Sequence, residues 1–272
     1  MSPVTIAVVP VAGRGTRLHP ATLAVPKEML PVDGRPVVAH VVDELAENGI
    51  ERVVFVTASG KEAVRAHFAA ASGGPVLDWA DQPAPRGLGD ALLQAEGRIG
   101  NGPFAVALGD AILGTREPPQ VVRRLAAALE RHDAACVIAV RDVPRAHTGR
   151  YGIVVTEGAG EVARVGRIVE KPHPDEAPST LAVSARYVMT PVIFAALREV
   201  PVRPGGELEL TDAIALLVGS GARVLAMRLG EIVRHDVGSH ESYARAFLSF
   251  ALSDPHHGEA LRRHARALLD AG

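Results

Sequence analysis

Apolar and polar positions along this chain fall into short blocks whose period alternates between continuous and helical. Ile6-Ala7-Val8-Val9 is a compact β-branched run, and 52–57, 75–79, 104–109 and 134–140 have the same character. Such runs read as strands buried on both faces of a parallel sheet. The segments 36–48, 60–70, 88–98 and 118–131 lie between them and are patterned as helices. This alternation predicts a parallel sheet covered on both faces and joined by right-handed crossovers. Leu45, Ile50, Val53, Val54 and Val56 are core candidates, and Asn48-Gly49 is a helix stop. From Tyr151 the pattern changes. Gly152-Ile153-Val154-Val155, the turn Glu157-Gly158-Ala159-Gly160 and the run 162–169 predict a hairpin or mixed strands forming the second side of a cleft. Helices are expected over 191–199 and 212–218, and strands near 224–227 and 232–235. A closing helix pair is expected over 241–253 and 258–269, the second of them basic and amphipathic.

Composition narrows the picture without changing it. With 272 residues, 47% hydrophobic and 22% charged, the chain can bury a large core and fits one α/β domain with a short helical tail. A formal net charge of −2 gives no whole-protein attraction to nucleic acid or anionic lipid. The ligand expected is a small anion held in a local basic pocket. The one cysteine, Cys136, lies in an apolar run and reads as a buried, inert thiol. The N-terminus shows no signal pattern, and no apolar stretch reaches the length of a membrane span, so a cytoplasmic protein with no membrane partner is expected.

The chemistry begins where the first strand ends. Residues 12–36 form a loop with Gly13 and Gly15, which let backbone N–H groups approach a phosphate, and with Arg17 and Lys27, which bring positive charge. Pro20, Pro26, Pro31 and Pro36 keep this loop from becoming a helix. It lacks the third glycine of a dinucleotide site and the Gly-Lys-Ser/Thr of a P-loop. A triphosphate attacked at its α-phosphorus develops charge that fixed cations stabilise, which favours function over a plain glycine-proline connection. Asp110 in Leu108-Gly109-Asp110 closes a strand, and Asp236 follows another apolar run. Each alone reads as a turn or cap residue; together they offer Mg²⁺ the one or two carboxylates it takes. Val169-Glu170-Lys171-Pro172 also closes a strand, with Pro172 expected to hold Lys171 extended. The plain reading is a solvated charge pair. Beside a triphosphate site, Glu170 is placed to accept sugar hydroxyl protons and Lys171 to grip a second phosphate. Gln82 and Gly87-Leu88-Gly89 precede a helix and are suited to base-edge hydrogen bonds and close backbone approach, or are simply a glycine-bearing loop. Neither zinc-ligand spacing nor a Gly-x-Ser-x-Gly elbow occurs.

In order, these pieces resemble the sugar-1-phosphate nucleotidylyltransferases, most closely the bacterial UTP–glucose-1-phosphate uridylyltransferases, from about Ile6 to Leu252. The strongest marks are Ala12-Gly13-Arg14-Gly15-Thr16-Arg17 and Pro26-Lys27-Glu28-Met29-Leu30-Pro31. Tyr151-Gly152-Ile153-Val154, Glu170-Lys171-Pro172, Glu207-Leu208-Glu209-Leu210-Thr211-Asp212 and Asp236-Val237-Gly238 support them. The resemblance implies a Rossmann-like three-layer α/β fold of the nucleotide-diphospho-sugar transferase type. It divides the chain into a domain over 1–254, with a nucleotide-binding half to about 140 and a sugar-binding half over 141–240, and a helical tail over 255–272. It further implies attack of a sugar 1-phosphate on the α-phosphorus of an NTP, with Mg²⁺ as cofactor and release of pyrophosphate. Under it, Ala12, Gly13, Arg14, Gly15, Thr16 and Asp110 bind nucleotide, and Gln82 and Gly87 read a pyrimidine. Arg17 and Lys27 hold the phosphates and stabilise the transition state. Asp110 and Asp236 hold the metal; Gly152, Glu170 and Val183 contact the sugar, and Lys171 its phosphate. A homodimer or tetramer is the expected assembly. Thr22-Leu23-Ala24 and His240 lean toward the thymidylyltransferases, Thr180 and Ala185 replace the family's usual Asn and Gly, and the segment between Phe68 and Val76 is shorter than in the uridylyl family. UTP with glucose 1-phosphate is the leading pair; dTTP or a modified sugar phosphate is the alternative, and a non-catalytic nucleotide-sugar sensor is a reading from another class.

Overall fold

The apolar runs become the strands of one continuous sheet in the computed structural model, which describes residues 3–70, 73–202 and 205–271. The strands are β1 (Ile6–Pro10), β2 (Pro31–Val32), β3 (Arg35–Pro36), β4 (Arg52–Thr57), β5 (Val76–Asp81), β6 (Phe104–Ala107), β7 (Ala111–Leu113), β8 (Cys136–Asp142), β9 (Gly152–Glu157), β10 (Val162–Glu170), β11 (Leu181–Met189), β12 (Val224–Arg228) and β13 (Arg234–Asp236). The helices are α1 (Val37–Glu47), α2 (Glu62–Ala69), α3 (Leu88–Ile99), α4 (Val121–Arg131), α5 (Val192–Glu199), α6 (Leu210–Gly219), α7 (His240–Leu252) and α8 (Gly258–Ala271). The main sheet runs β5-β4-β1-β6-β11-β8-β12-β10-β9, while β7 pairs with β13 and β2 with β3 in two small ladders.

Strands β5, β4, β1 and β6 are parallel, as the alternation predicts. The sheet as a whole is mixed. β11 inserts between β6 and β8 and runs antiparallel to both, so β8 is not joined to its predecessor in a purely parallel array. The sequence reading contains no strand at 181–189, where Ser184 and Arg186 stand within the apolar run. Every residue of β11 is nonetheless buried. Arg186 is tolerated because Glu44 of α1 meets its guanidinium, with Nε donating to Oε1 at 3.0 Å, and because its other N–H groups donate to the carbonyls of Ala185 and Ala111. An ion pair of this burial stands only when both charges find hydrogen-bond partners.

The pleat of β1 divides the core. Val8 faces the layer holding Leu92 of α3, Leu197 of α5 and Ile214 of α6. Ala7 and Val9 face the opposite layer with Val41 and Leu45 of α1 and Leu125 of α4. Each fully buried aliphatic side chain contributes about 1.5–3 kcal/mol relative to exposure, so the period-2 alternation fixes which helices lie on which face. Cys136 is buried in the first layer, where burial pushes its thiol up to about 12.

α7 packs Ala246 and Phe250 against Leu18, Leu30, Ile112 and Val237, clamping the loop after β1 to the β7/β13 ladder. It starts at a capping box, with the Ser239 hydroxyl accepting from the Ser242 N–H at 3.2 Å. The basic amphipathic α8 follows but buries only Gly258. No helix among the described residues is long and apolar enough to cross a membrane.

Candidate active site

The carboxyl ends of β1, β4, β5 and β6 share one edge, and open α/β sheets bind ligands outside that edge. There the chain leaves β1 into three short 3-10 turns, Thr16–Leu18, Ala21–Leu23 and Lys27–Met29, consistent with prolines that forbid a longer helix. The Thr22 hydroxyl donates to the Gly15 carbonyl at 2.8 Å and closes the loop on itself. A Cβ at position 13 would lie 3.4 Å from the Lys27 amine, an ordinary contact that shows how closely the amine approaches this part of the loop.

A cleft of about 750 Å³ opens here. Ala12, Gly13, Arg14, Gly15, Thr16, Arg17, Lys27, Gln82, Gly87 and Asp110 line one end of it, and Gly152, Glu170, Lys171 and Val183 the other. Of the residues expected from sequence, Asp236 alone is not part of this lining. It stands immediately behind it, opposite Ala111 in the β7/β13 ladder, and the neighbouring Val237 N–H donates to the Asp110 carbonyl at 2.9 Å. A Cβ on Gly238 would lie 2.7 Å from Asp236 Oδ2 and 3.3 Å from the Arg17 guanidinium, so glycine lets both charges share one corner.

The cations at this end differ in what they already hold. Arg14 and Arg17 are exposed and have neither a hydrogen bond nor an ion pair among the described residues. Lys27 instead donates to Asp110 Oδ2. Burial disfavours the charge on both partners, but their mutual attraction wins: the Asp110 carboxyl is held below its usual range and the Lys27 amine above. Glu28, next in sequence, is fully buried and accepts from Lys61 at 2.7 Å, which anchors the Lys27 turn to the start of α2. Burial pushes the Glu28 carboxyl up despite Lys27 and Lys61.

Asp110 and Asp236 are the carboxylates available to a divalent cation. No group of three or more potential ligands occurs among the described residues. Two carboxylates suit Mg²⁺, which keeps waters and takes phosphate oxygens, and would not suit a closed all-protein cage. The donor set therefore fits a metal that arrives with a phosphate ligand.

Gln82 is buried, and its amide nitrogen donates to the Gly87 carbonyl at 3.1 Å and to Asp90 Oδ2 at 2.7 Å. Both partners are acceptors, which fixes the amide orientation and leaves Oε1 as its acceptor for a ligand. Gly87 is required by the backbone itself. Its φ of 95° and ψ of 174° lie in a region restricted to glycine, and a Cβ would meet the Leu208 carbonyl at 2.6 Å. Gly87→Ala is expected to destabilise the protein by about 1–3 kcal/mol and to weaken nucleotide binding; a denaturant melt and a binding titration check it.

At the other end, Gly152 pairs with Glu170 across the β9–β10 hairpin, and β11 brings in Val183 alongside. A Cβ at 152 would lie 3.0 Å from Thr211 Oγ1, 3.3 Å from Glu170 Oε2 and 3.3 Å from Val183, so the glycine leaves a cradle between them. The Thr211 hydroxyl donates to Glu170 at 2.7 Å. Lys171 pairs with Glu170 at 2.9 Å and Glu209 at 3.2 Å, more than the isolated charge pair of the plain reading. Its backbone is not extended as Pro172 suggested: φ is 42°. The Lys171 N–H is drawn to the Tyr151 carbonyl at 3.0 Å, and this tertiary bond outweighs the local preference of a residue before proline. Ala185, in the left-handed region with φ 58°, occupies a bulge of β11 where the resemblance has glycine.

Sequence reasoning missed Arg234 and Tyr187, and named Thr211 only within a motif, with no role. Arg234 lies over the Tyr151 ring at 5.0 Å and donates to Asp236 Oδ1 at 2.7 Å, joining the two ends of the cleft. Its place two residues before Asp236, alternating with buried His235 in a short strand, was the available signal.

The chain matches the family model described as nucleotidyl transferase over residues 6–252. It is 38% identical over 277 residues to the UTP–glucose-1-phosphate uridylyltransferase of Bacillus subtilis strain 168, covering 93% of each chain. A solved UDP-glucose pyrophosphorylase from Acinetobacter baumannii superposes with a TM-score of 0.86 at 32% identity, covering 97% of this chain and 99% of that one. A UDP-glucose pyrophosphorylase solved in complex with UDP-glucose superposes with a TM-score of 0.83 at 30% identity, covering 91% of this chain and 98% of that one. A family model matched over residues 6–252 and relatives more than 30% identical along nearly the whole chain agree on one conclusion: the chain is an enzyme of the nucleotidyl transferase family.

Proposed function

We propose that the protein transfers a uridylyl group from UTP to glucose 1-phosphate with Mg²⁺ as cofactor, giving UDP-glucose and pyrophosphate. The observation that carries this reading is the single cleft with uncommitted Arg14 and Arg17 at one end and the Gly152–Glu170–Lys171 cradle at the other. Residues 1–140 contribute most of the nucleotide end, 141–240 the sugar end, and the tail over 255–272 neither.

The Gln82 Oε1 acceptor suits the N3–H of uracil and rejects cytosine, whose N3 is itself an acceptor. Thymine presents the same N3–H, which keeps dTTP as the second reading. Glu170, already accepting from Thr211 through one oxygen, receives hydroxyl protons of the sugar, while Lys171 turns from its carboxylate partners to the sugar phosphate. An oxygen of that phosphate attacks the α-phosphorus; the new P–O bond forms as the bond to the β-phosphate oxygen breaks, and its electron pair leaves with pyrophosphate. Backbone N–H groups of 12–16 orient the triphosphate, and Arg17 and Lys27 stabilise the charge that develops. Asp110 and Asp236 would hold Mg²⁺, which neutralises phosphate charge when bound.

The test is pyrophosphate release with Mg²⁺, crossing UTP, dTTP, CTP, ATP and GTP against glucose 1-phosphate and other sugar 1-phosphates. UTP with glucose 1-phosphate is expected to dominate; a dTTP preference selects the second reading, and silence across the grid removes both. Asp110→Asn and Asp236→Asn are each expected to shift the Mg²⁺ activation curve to higher concentration, and unchanged curves for both would refute the metal assignment. Gly152→Ala fills the cradle and is expected to raise KM for the sugar phosphate by about tenfold, equivalent to about 1.4 kcal/mol, with KM for UTP unchanged in initial-rate assays.

A further inference from the structure

The two carboxylates assigned to the metal are already paired with cations, and the two pairs are built differently. Asp236 Oδ1 accepts from Arg234, whose side chain is only 5% exposed, also donates to the Val183 carbonyl at 3.4 Å and lies over the Tyr151 ring. That guanidinium is fixed from three sides. Asp110 Oδ2 accepts from Lys27, which has no other ion-pair partner among the described residues. The Lys27 stem runs beside Gly13 and Gly15, so its amine is within the loop that presents backbone N–H groups to phosphate. Lys27 thus holds the Asp110 oxygen that a divalent cation needs, and, unlike Arg234, it is bound there by that carboxylate alone.

An ammonium and a divalent cation repel each other and compete for the same carboxylate oxygen. A metal approaching the free protein must strip Lys27 of its only carboxylate partner and leave it unpaired in a half-buried site. A triphosphate removes that obstacle, because its oxygens give Lys27 a new partner and give the metal further ligands. We infer that Lys27 is an exchangeable counter-ion that closes the Asp110–Asp236 pair to divalent cations until a nucleoside triphosphate draws it away. This makes metal and nucleotide binding mutually dependent, and by linkage each strengthens the other equally. The inference rests on the assignment of the two carboxylates to the metal, but not on which base or sugar is used.

The test reads metal binding rather than turnover. Mn²⁺ is titrated into the nucleotide-free protein and followed by electron paramagnetic resonance. Lys27→Met is expected to bind Mn²⁺ at least tenfold more tightly than wild type, although it removes a group placed in the catalytic machinery. Lys27→Arg, which keeps a cation on Asp110, is expected to stay within twofold of wild type. The double variant Lys27→Met with Asp110→Asn is expected to lose the gain. Unchanged or weaker Mn²⁺ binding in Lys27→Met overturns the inference, as does a gain that survives Asp110→Asn. Should Lys27→Met fail to fold in a thermal melt, Lys27→Gln carries the same comparison. Failure of the functional reading looks different: wild type releases no pyrophosphate while the Mn²⁺ shift persists.

Discussion

Arg186→Met is expected to lower the free energy of unfolding by about 3–5 kcal/mol, the range for breaking a buried ion pair by removing one partner. Arg186 is fully buried, and without it Glu44 keeps a carboxylate in the core with no cation to meet it. Burial already pushes the Glu44 carboxyl up, so the variant protonates Glu44 more readily and recovers some stability as pH falls. Replacing both residues, with Glu44→Leu added, is expected to restore most of the loss, since an apolar pair of similar volume needs no desolvated charge. Urea unfolding of wild type and the two variants at two pH values measures this. Equal loss in single and double variants would mean that packing volume, not the orphaned charge, sets the cost. Arg186 also donates to the Ala111 carbonyl at 3.0 Å, one residue past Asp110, so the single variant is expected to loosen the site as well as the core.

Lys27→Ala is expected to reduce kcat by about 10²–10³, or about 2.7–4 kcal/mol, as for the loss of one preorganised donor at a developing oxyanion. In the proposed reaction a triphosphate takes Lys27 from Asp110 and its ammonium meets charge that grows at the α-phosphorus, so the loss is expected to fall on the transition state more than on binding. KM for the nucleotide is therefore expected to change less than kcat, and Lys27→Arg to recover part of the rate. Rapid-quench measurement of pyrophosphate formation separates the chemical step from product release. A variant with wild-type kcat would remove Lys27 from the mechanism.

The candidate residues that line the cleft were legible because they sit where local rules put them. Gly13, Arg17 and Lys27 follow the first strand, Asp110 lies in the turn after another, and Glu170-Lys171 closes a third. Each was recognisable as a residue after an apolar run, and strand ends in an α/β sheet meet at one edge. Gln82 was legible as a candidate, but its acceptor-only role was not, because that depends on Asp90 and the Gly87 carbonyl taking both amide protons. Lys171 was placed correctly along the chain and wrongly in conformation, since the hydrogen bond to Tyr151 comes from another strand. Arg234 was missed because its meaning lies in Asp236 and the Tyr151 ring together.

The sequence by itself determined the alternation of strands and helices, the two faces of the first sheet strands and the glycine-rich cationic loop. Those depend on hydrophobic period and on turn chemistry, which act over a few residues. Only the tertiary structure decided that β11 would enter the middle of the sheet carrying a buried arginine, and that Asp236 would lie opposite Ala111, the residue after Asp110. Both outcomes join residues more than a hundred positions apart: Glu44 neutralises Arg186, and the β7/β13 ladder sets the register of the carboxylates. Charge compensation and strand pairing at that separation leave no local pattern, because neither partner has a reason to look unusual until the other is beside it.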